Sequence, residues 1–375
     1  MPIRTIHIDT ARTWRGGQNQ ALLTVKGLRA LGHQTMLVAH PDGELRRRAP
    51  QTADLVPLAP RFEVDFHAAW KLARIIRAFE PAILHAHDPH GVALAALALG
   101  FRMPWPPPAL VASRRVDFKL AGNALSRAKY RQVNRFICAS GAIARILQAD
   151  GIEAGRISTV HEGVDLDHVA DAPPVSLHET FWLPRGAPVV LNVAALVPHK
   201  GQRYLIEAFA TVVRAVPDAR LVILGQGELH ESLQRQVDHA GLEKHVLLPG
   251  FRTDVLSLMK TADVFVMSSV MEGLGTSLLD AMACARPIIA THTGGIPEVV
   301  VHDETGLLVP PRNGAALAEA LILLLKDEER ARRYGAAGYE RAHRAFTVDH
   351  MVRETVAVYD DLLLAERSAI RVARR

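Results

Sequence analysis

At 375 residues, nearly half of them apolar, the chain is too long for one ordinary core and long enough to pack two. Its two cysteines, Cys138 and Cys284, offer neither a disulfide framework nor metal-ligand spacing, which fits a reducing, cytosolic compartment. The net charge of +5 is unevenly shared, because residues 1–172 carry 22 Lys and Arg against 15 Asp and Glu while the remainder carries 22 against 24. Beyond ordinary solvation, that asymmetry suits an anionic surface facing the first half, either phospholipid headgroups or nucleic acid.

The chain enters a strand pattern at "TIHID" with no leader expected, and its longest small-apolar run, "GVALAALALG", is too short to span a bilayer. The first strand ends at Asp9, and a loop with Gly16 and Gly17 opens an amphipathic helix whose first N–H groups could face an anion. Neither G-x-G-x-x-G spacing nor a G-x-x-x-x-G-K-[ST] motif is present there, so the stretch also reads as an ordinary loop. After the strand "QTMLVAH" come basic segments, "ELRRRA", "WKLARIIRAF" and "SRAKYRQVNR". In the second, Trp70, Ile75, Ile76 and Phe79 form an inward face with Lys71, Arg74 and Arg77 outward; an interfacial helix has the same pattern.

The strand "AILHAH" runs into "HAHDPH", which groups His85, His87, Asp88 and His90. Histidines two apart share a strand face, but no spacing supplies third and fourth ligands, so no metal is expected. His87, at the strand's carboxyl end, reads as a polar group reaching a cleft. The Asp165-x-Asp167 pair reads as a turn cap. "ALVAS", "RFICAS" and "RISTV" continue the alternation of apolar runs and amphipathic stretches until "DAPPVSLHET" (171–180), where periodicity stops. It restarts with "PVVLNVAAL", "ARLVILG", "HVLLPG", "DVFVMSS", "RPIIATHT" and "TGLLVPP". Two doubly wound α/β domains joined near residue 175 follow, with ligands expected beyond the carboxyl ends of the strands.

In the second half, Lys200 and Gly201 precede a helix, where a lysine can neutralise a phosphate or simply be solvated. Gly225 and Gly227 also follow a strand, but His230 stands where a dinucleotide fingerprint needs its third glycine, which disfavours a nicotinamide enzyme. "MEGLGTSLLDAMAC" places Glu272 in a loop, then Leu274 and Gly275, then Thr276 or Ser277 as a helix cap, with Asp280 on the first turns. Two carboxylates so spaced can each accept from adjacent hydroxyls of a different polyol, a sugar and a ribose; a capped helix alone would look the same.

These residues resemble a known family. "HEGVD", "NVAALVPHKG", "LGQGE", "LPGFRTDV" and the run from "ADVFVMSS" through "TGLLVPP" resemble, in order and spacing, the C-terminal domain of retaining glycosyltransferases of family 4. "GGQ" and "HAHDPHG" resemble its N-terminal domain. The resemblance implies a GT-B α/β fold: a Rossmann-like acceptor domain over 1–172 plus about 350–375, a nucleotide-sugar domain over 180–349, and a last helix crossing back to the first. It implies a nucleotide-sugar donor, no metal or other cofactor, a glycan or lipid-linked acceptor, and no nucleic acid. By the same carry-over Glu272 contacts the donor sugar, Leu274 and Gly275 offer N–H groups beside Thr276, and Asp280 binds ribose. Lys200 stabilises the leaving diphosphate, Gly17 approaches it, and Phe251 and Arg252 border the base. Lys200, Glu272 and His87 are the catalytic expectation; Gln18, His87 and Arg115 the acceptor or cleft expectation. The chain departs from the family at Ala195, where an arginine is frequent and where Arg203 or His199 would have to compensate, at Asp280, a glutamate in relatives, and at Arg115, in place of a cleft histidine. Retention without an evident nucleophile implies front-face attack, in cell-surface polysaccharide or lipopolysaccharide synthesis at the cytoplasmic face of a membrane. The alternatives are a catalytically weak nucleotide-sugar-binding partner, or an epimerase or phosphorylase on the same fold.

Overall fold

The computed structural model describes residues 2–49, 54–101, 103, 106–118, 120 and 124–373. The chain divides into two units, Met1–Gly163 with Val348–Arg375, and Val164–Thr347. Among the described residues, the first holds a seven-stranded parallel sheet: β1 (Arg4–Asp9), β2 (Gln34–Ala39), β3 (Asp54–Pro57), β4 (Ile83–Ala86), β5 (Ala109–Arg114), β6 (Arg135–Cys138) and β7 (Ile157–Thr159), in the order β3-β2-β1-β4-β5-β6-β7. The second holds β8 (Val189–Val193), β9 (Arg220–Leu224), β10 (Val246–Gly250), β11 (Val264–Met267), β12 (Ile288–Thr291) and β13 (Gly306–Val309), in the order β10-β9-β8-β11-β12-β13. Helices cover both faces of such sheets, which is why the inner strands are continuous apolar runs and not alternating ones. β3 was not legible in the sequence. It is a half-exposed edge strand of four residues ending in Pro57, a residue that only an edge tolerates.

The helix Val348–Ala373 belongs to the first unit, as expected of a returning C-terminal helix. Its Met351, Val352, Tyr359 and Leu362 join one core with Leu28, Ile83 and Val111. The junction lies at Gly163–Val164, upstream of the expected 171–180. Asp165 caps the helix Leu166–Asp171 by accepting from the His168 N–H at 3.0 Å, and Lys260 donates to the Ala172 carbonyl at 2.5 Å. The proline-bearing segment is therefore packed into the second unit.

The helix Phe66–Phe79 buries Ala69, Leu72, Ala73 and Ile76, a stripe at i, i+3, i+4 and i+7. Trp70, expected to face inward, falls on the flank: it is 42% exposed and lies under the Arg74 guanidinium. Phe62, before this helix, and Phe66, at its start, are exposed as well. Among the described residues no helix is long and apolar enough to cross a membrane.

Candidate active site

In each sheet the strand order reverses once, between β1 and β4 and between β8 and β11, and the crevice beyond such a reversal is where open α/β sheets take ligands. Lys200 follows β8 and Glu272 follows β11, so both border the reversal in the second unit. Backbone bonds fix them there. The Val270 and Met271 N–H groups donate to the His199 carbonyl at 2.7 and 3.3 Å, and Ser268 Oγ donates to the Lys200 carbonyl at 3.1 Å. From the other side, the Gly295 N–H donates to the Glu272 carbonyl at 3.1 Å, while Thr291 and Thr293 donate to the carbonyls of Ser269 and Val270. Gly294 has φ +53°, and a Cβ on it would fall 1.8 Å from the Glu272 carbonyl oxygen, so only glycine permits this turn. The clamped loops leave Lys200 Nζ 2.5 Å from Glu272 Oε2, which also accepts from Ser269 Oγ at 2.9 Å.

The helix Thr276–Ala283 begins after Gly275, whose φ is +94°. Gly275 itself is the N-cap and offers no side chain, while Ser277 Oγ donates to the Val193 carbonyl at 3.1 Å. Neither Thr276 nor Ser277 caps the helix, contrary to expectation, and among the described residues no side chain caps its first N–H groups. Leu274 anchors the turn with a side chain 1% exposed. Asp280 follows on the second turn. Its carboxyl has no hydrogen-bond partner among the described residues, and burial pushes its pKa up to about 7. Beyond β10, Phe251 is exposed, and Arg252 is held bidentately by Asp254 at 2.8 and 2.6 Å. Arg203 is exposed and lies over the Tyr204 ring. Gly225 and Gly227 are needed for packing: a Cβ on them would fall 1.9 and 2.3 Å from the carbonyl oxygens of Ala194 and Leu196.

In the first unit His87 does not reach outward. It is 7% exposed, accepts at Nδ1 from Arg115 at 3.1 Å, and lies 2.9 Å by Nε2 from His7 Nδ1. A guanidinium can only donate, so His87 carries its proton on Nε2 and donates to His7, which donates through Nε2 to Thr5 Oγ1 at 3.1 Å. His85 bonds Tyr359 Oη at 2.5 Å and Ser113 Oγ at 2.7 Å. Burial, with the Arg115 charge and neighbouring histidines added, holds His85 and His87 well below the ordinary imidazole pKa; burial and Arg115 take His7 to about 3. Both ring nitrogens of His87 are thus engaged inside the unit, and contact with an acceptor would require one of these bonds to be exchanged.

His7, His85 and His87 bring one nitrogen each within 4.8 Å of the others, the spacing of a metal site. The donor set does not fit one. Every ring nitrogen has a protein partner, and one of those partners is the Arg115 cation, which disfavours a second cation at the cluster.

Gln18 is also buried. Its Nε2 donates to Asp9 and its Oε1 accepts from the Arg15 N–H, so both ends of its amide are engaged inside the unit. Arg115 is ion-paired through Nε with Glu162 at 3.0 Å, and its Cδ would stand 3.6 Å from a Cβ on Gly17, an ordinary contact. Packing inside this unit therefore does not require glycine at 17. His7, Glu162 and Tyr359 were not singled out from the sequence. Asp88 was, as a possible ligand, although "DP" before an apolar run is a helix-start signal, and Asp88 caps Pro89–Leu99 through the Gly91 N–H at 3.0 Å.

Comparison with known proteins decides what these two units are. The family model "Glycosyltransferase Family 4" matches residues 14–168, and "Glycosyl transferases group 1" matches residues 178–341. The chain belongs to glycosyltransferase family 4. EpsD of Bacillus subtilis, which carries the name of a glycosyltransferase, is 29% identical to this enzyme over 80% of this chain and 82% of its own. The GDP-mannose-dependent alpha-(1-6)-phosphatidylinositol monomannoside mannosyltransferase of Mycobacterium tuberculosis is 37% identical over 50% of this chain and 51% of its own, so the match spans about half of that relative. Among solved structures, a glycosyltransferase of Rickettsia africae superposes with a TM-score of 0.83 at 19% identity, covering 96% of this chain and 99% of that one. HepE of Anabaena, solved with UDP and glucose, superposes with 0.82 at 19% identity, covering 96% and 100%. At those identities the solved structures speak for the fold, which is GT-B as expected.

Proposed function

We propose that this glycosyltransferase moves a sugar, with retention of anomeric configuration, from a nucleoside-diphosphate donor to a glycan or lipid-linked acceptor in cell-surface polysaccharide or lipopolysaccharide assembly, and that it needs no metal. The observation that carries this reading is the Lys200–Glu272 pair at the strand-order reversal of the second sheet, with the unpartnered Asp280 carboxyl on the helix that follows the Glu272 loop. Asp280 suits a ribose: two adjacent hydroxyls supply the donors its oxygens lack and favour its charged form. Glu272 accepts from sugar hydroxyls, and the uncapped N–H groups after Gly275 with Lys200 face the diphosphate. Phe251 and Arg252 border the base from the β10 side. In the first unit, Gly17 leaves the start of its helix open to an anion.

Transfer breaks the bond from the anomeric carbon to the diphosphate oxygen and forms one to the acceptor hydroxyl on the same face. The departing phosphate oxygen takes the acceptor's proton. Charge grows on the diphosphate, and the fixed Lys200 cation with the helix start stabilises it there without reorganisation. A relative whose name specifies GDP-mannose and a neighbour solved with UDP-glucose support a nucleotide-sugar donor without choosing its base. Incubating the enzyme with UDP-glucose, UDP-N-acetylglucosamine and GDP-mannose, with a chelator present and water standing in as the acceptor, tests the reading by the anomer first released. Release of nucleoside diphosphate with α-configured product from an α-configured donor is expected. Inverted product, or donor bound without turnover, would replace it with an inverting enzyme or a binding partner.

A further inference from the structure

We propose that Asp9 is a positioning residue for this reaction: through Gln18, and together with Asp88, it sets the backbone of residues 10–15 so that the start of the helix Gly16–Ala30 is held at the strand-order reversal of the first sheet. The inference deepens the nucleotide-sugar reading, since that helix start is what would meet an anionic group of the substrate.

Asp9 ends β1 and is 1% exposed. Its Oδ1 accepts from the Ala11 N–H at 3.0 Å, and its Oδ2 accepts from Gln18 Nε2 at 3.1 Å. Gln18 Oε1 accepts in turn from the Arg15 N–H at 3.2 Å, so one amide spans both ends of the loop. From the other side of the reversal, Asp88 Oδ1 accepts from the Thr10 N–H at 3.2 Å and Oδ2 from Thr10 Oγ1 at 2.6 Å. The backbone donors of Thr10, Ala11 and Arg15 thus end on side chains and not on a secondary-structure ladder. Such a loop has the shape those side chains give it.

The arrangement is costly. Burial and the Asp88 charge push the Asp9 pKa up to about 6, against the bonds from Ala11 and Gln18 and the Arg115 charge, which pull it down. The charged groups facing Asp9 are Asp88 at the start of Pro89–Leu99 and Arg115 beyond β5, the latter shared with Glu162. An asparagine would satisfy Ala11 without that cost. It would keep only the longer contact to Gln18, at Oδ1 (3.4 Å), and would set its own NH2 against Gln18 Nε2 where Oδ2 now accepts at 3.1 Å; this second demand favours the carboxylate. Below about pH 6 Asp9 gains a proton and the tie to Gln18 weakens.

The test exchanges the two ends of the tie. Asp9→Asn opposes two amide NH2 groups; adding Gln18→Glu restores the bonds, because the new carboxylate accepts from both position 9 and the Arg15 N–H. In the unliganded protein, hydrogen exchange of the Thr10, Ala11 and Arg15 amides is expected to speed up about tenfold or more in Asp9→Asn, a factor worth about 1.4 kcal/mol, and to return to within about threefold of wild type in the double variant. Unchanged exchange in Asp9→Asn, or no recovery in the double variant, overturns the tie. Should Asp9→Asn not fold, Gln18→Met reads the same link at Arg15. On whichever of UDP-glucose or GDP-mannose wild type turns over, kcat/KM is expected to drop about tenfold in Asp9→Asn and to recover in the double variant. Altered exchange with unaltered kcat/KM overturns the positioning role. Absence of turnover on any nucleotide sugar defeats the transferase reading instead, and the exchange measurements still decide the tie.

Discussion

Replacing Lys200 by alanine separates a cation that stabilises a leaving group from one that merely completes an ion pair. In the unliganded protein Lys200 Nζ lies 2.5 Å from Glu272 Oε2, with side chains 19% and 10% exposed. Glu272 keeps Ser269 Oγ at 2.9 Å after the substitution, so the loss of stability should be about 1–3 kcal/mol. A unit charge about 4 Å from a developing unit charge, in the effective dielectric of a partly exposed site, is worth about 4 kcal/mol. Removing it should cost about 10²- to 10³-fold in kcat. The KM for acceptor should change less than about threefold, because the interaction grows with diphosphate charge and the acceptor hydroxyl is neutral. Steady-state kinetics at a temperature well below the variant's Tm make the measurement. A kcat within about threefold of wild type would refute the reasoning, and so would an effect confined to acceptor KM.

Asp280→Asn should weaken UDP or GDP binding about tenfold or more by calorimetry. It should also change how stability depends on pH: a carboxyl raised to about 7 in the fold and titrating near 4 when unfolded stabilises the fold most below about pH 4, and that contribution is lost as pH rises to about 7, so wild-type Tm should fall across this window more than that of Asp280→Asn. Gly294→Ala should lower Tm and abolish nucleotide binding, since its Cβ would strike the Glu272 carbonyl, whereas Gly17→Ala should leave Tm within about 2 °C while raising the donor KM. Tyr359→Phe should destabilise the first unit by about 1–3 kcal/mol in denaturant titrations by leaving a buried His85 nitrogen unpaired. Phe62, Phe66 and Trp70 beside Lys71, Arg74 and Arg77 should bind vesicles containing phosphatidylglycerol; Phe66→Ser with Trp70→Ser should reduce sedimentation with them several-fold, and equal binding to neutral vesicles would count against an anionic membrane surface.

Twelve of the thirteen strands found among the described residues were legible in the sequence because strands of a parallel sheet, covered on both faces, are written as uninterrupted apolar runs. Edge strand β3 lacks such a run, and the domain junction was displaced because prolines at 173 and 174 suggested a linker where the chain packs onto Lys260 and Ser257. The residues expected on the donor side were named from the order of motifs, and two of them, Lys200 and Glu272, do meet, since each follows a strand bordering the reversal. The first unit was harder to read. His7, His87 and Arg115 come from three different strands or their ends, and nothing local in "TIHID" or "HAHDPH" announces that one histidine will occupy the other's free nitrogen. Gln18 likewise looked uncommitted in a glycine-bordered loop and is hydrogen-bonded to Asp9 and Arg15. Long-range polar pairing has no periodic trace, so its residues are visible in sequence while their commitments are not.

The most direct measurement is a crystal structure of the enzyme soaked with UDP or GDP. Ribose hydroxyls on the Asp280 carboxylate and a diphosphate at Lys200 and the N–H groups following Gly275 are the expected result. A nucleotide bound away from the β8–β11 reversal, or bound there with Asp280 still unpartnered, would contradict the assignment of this site as the donor's.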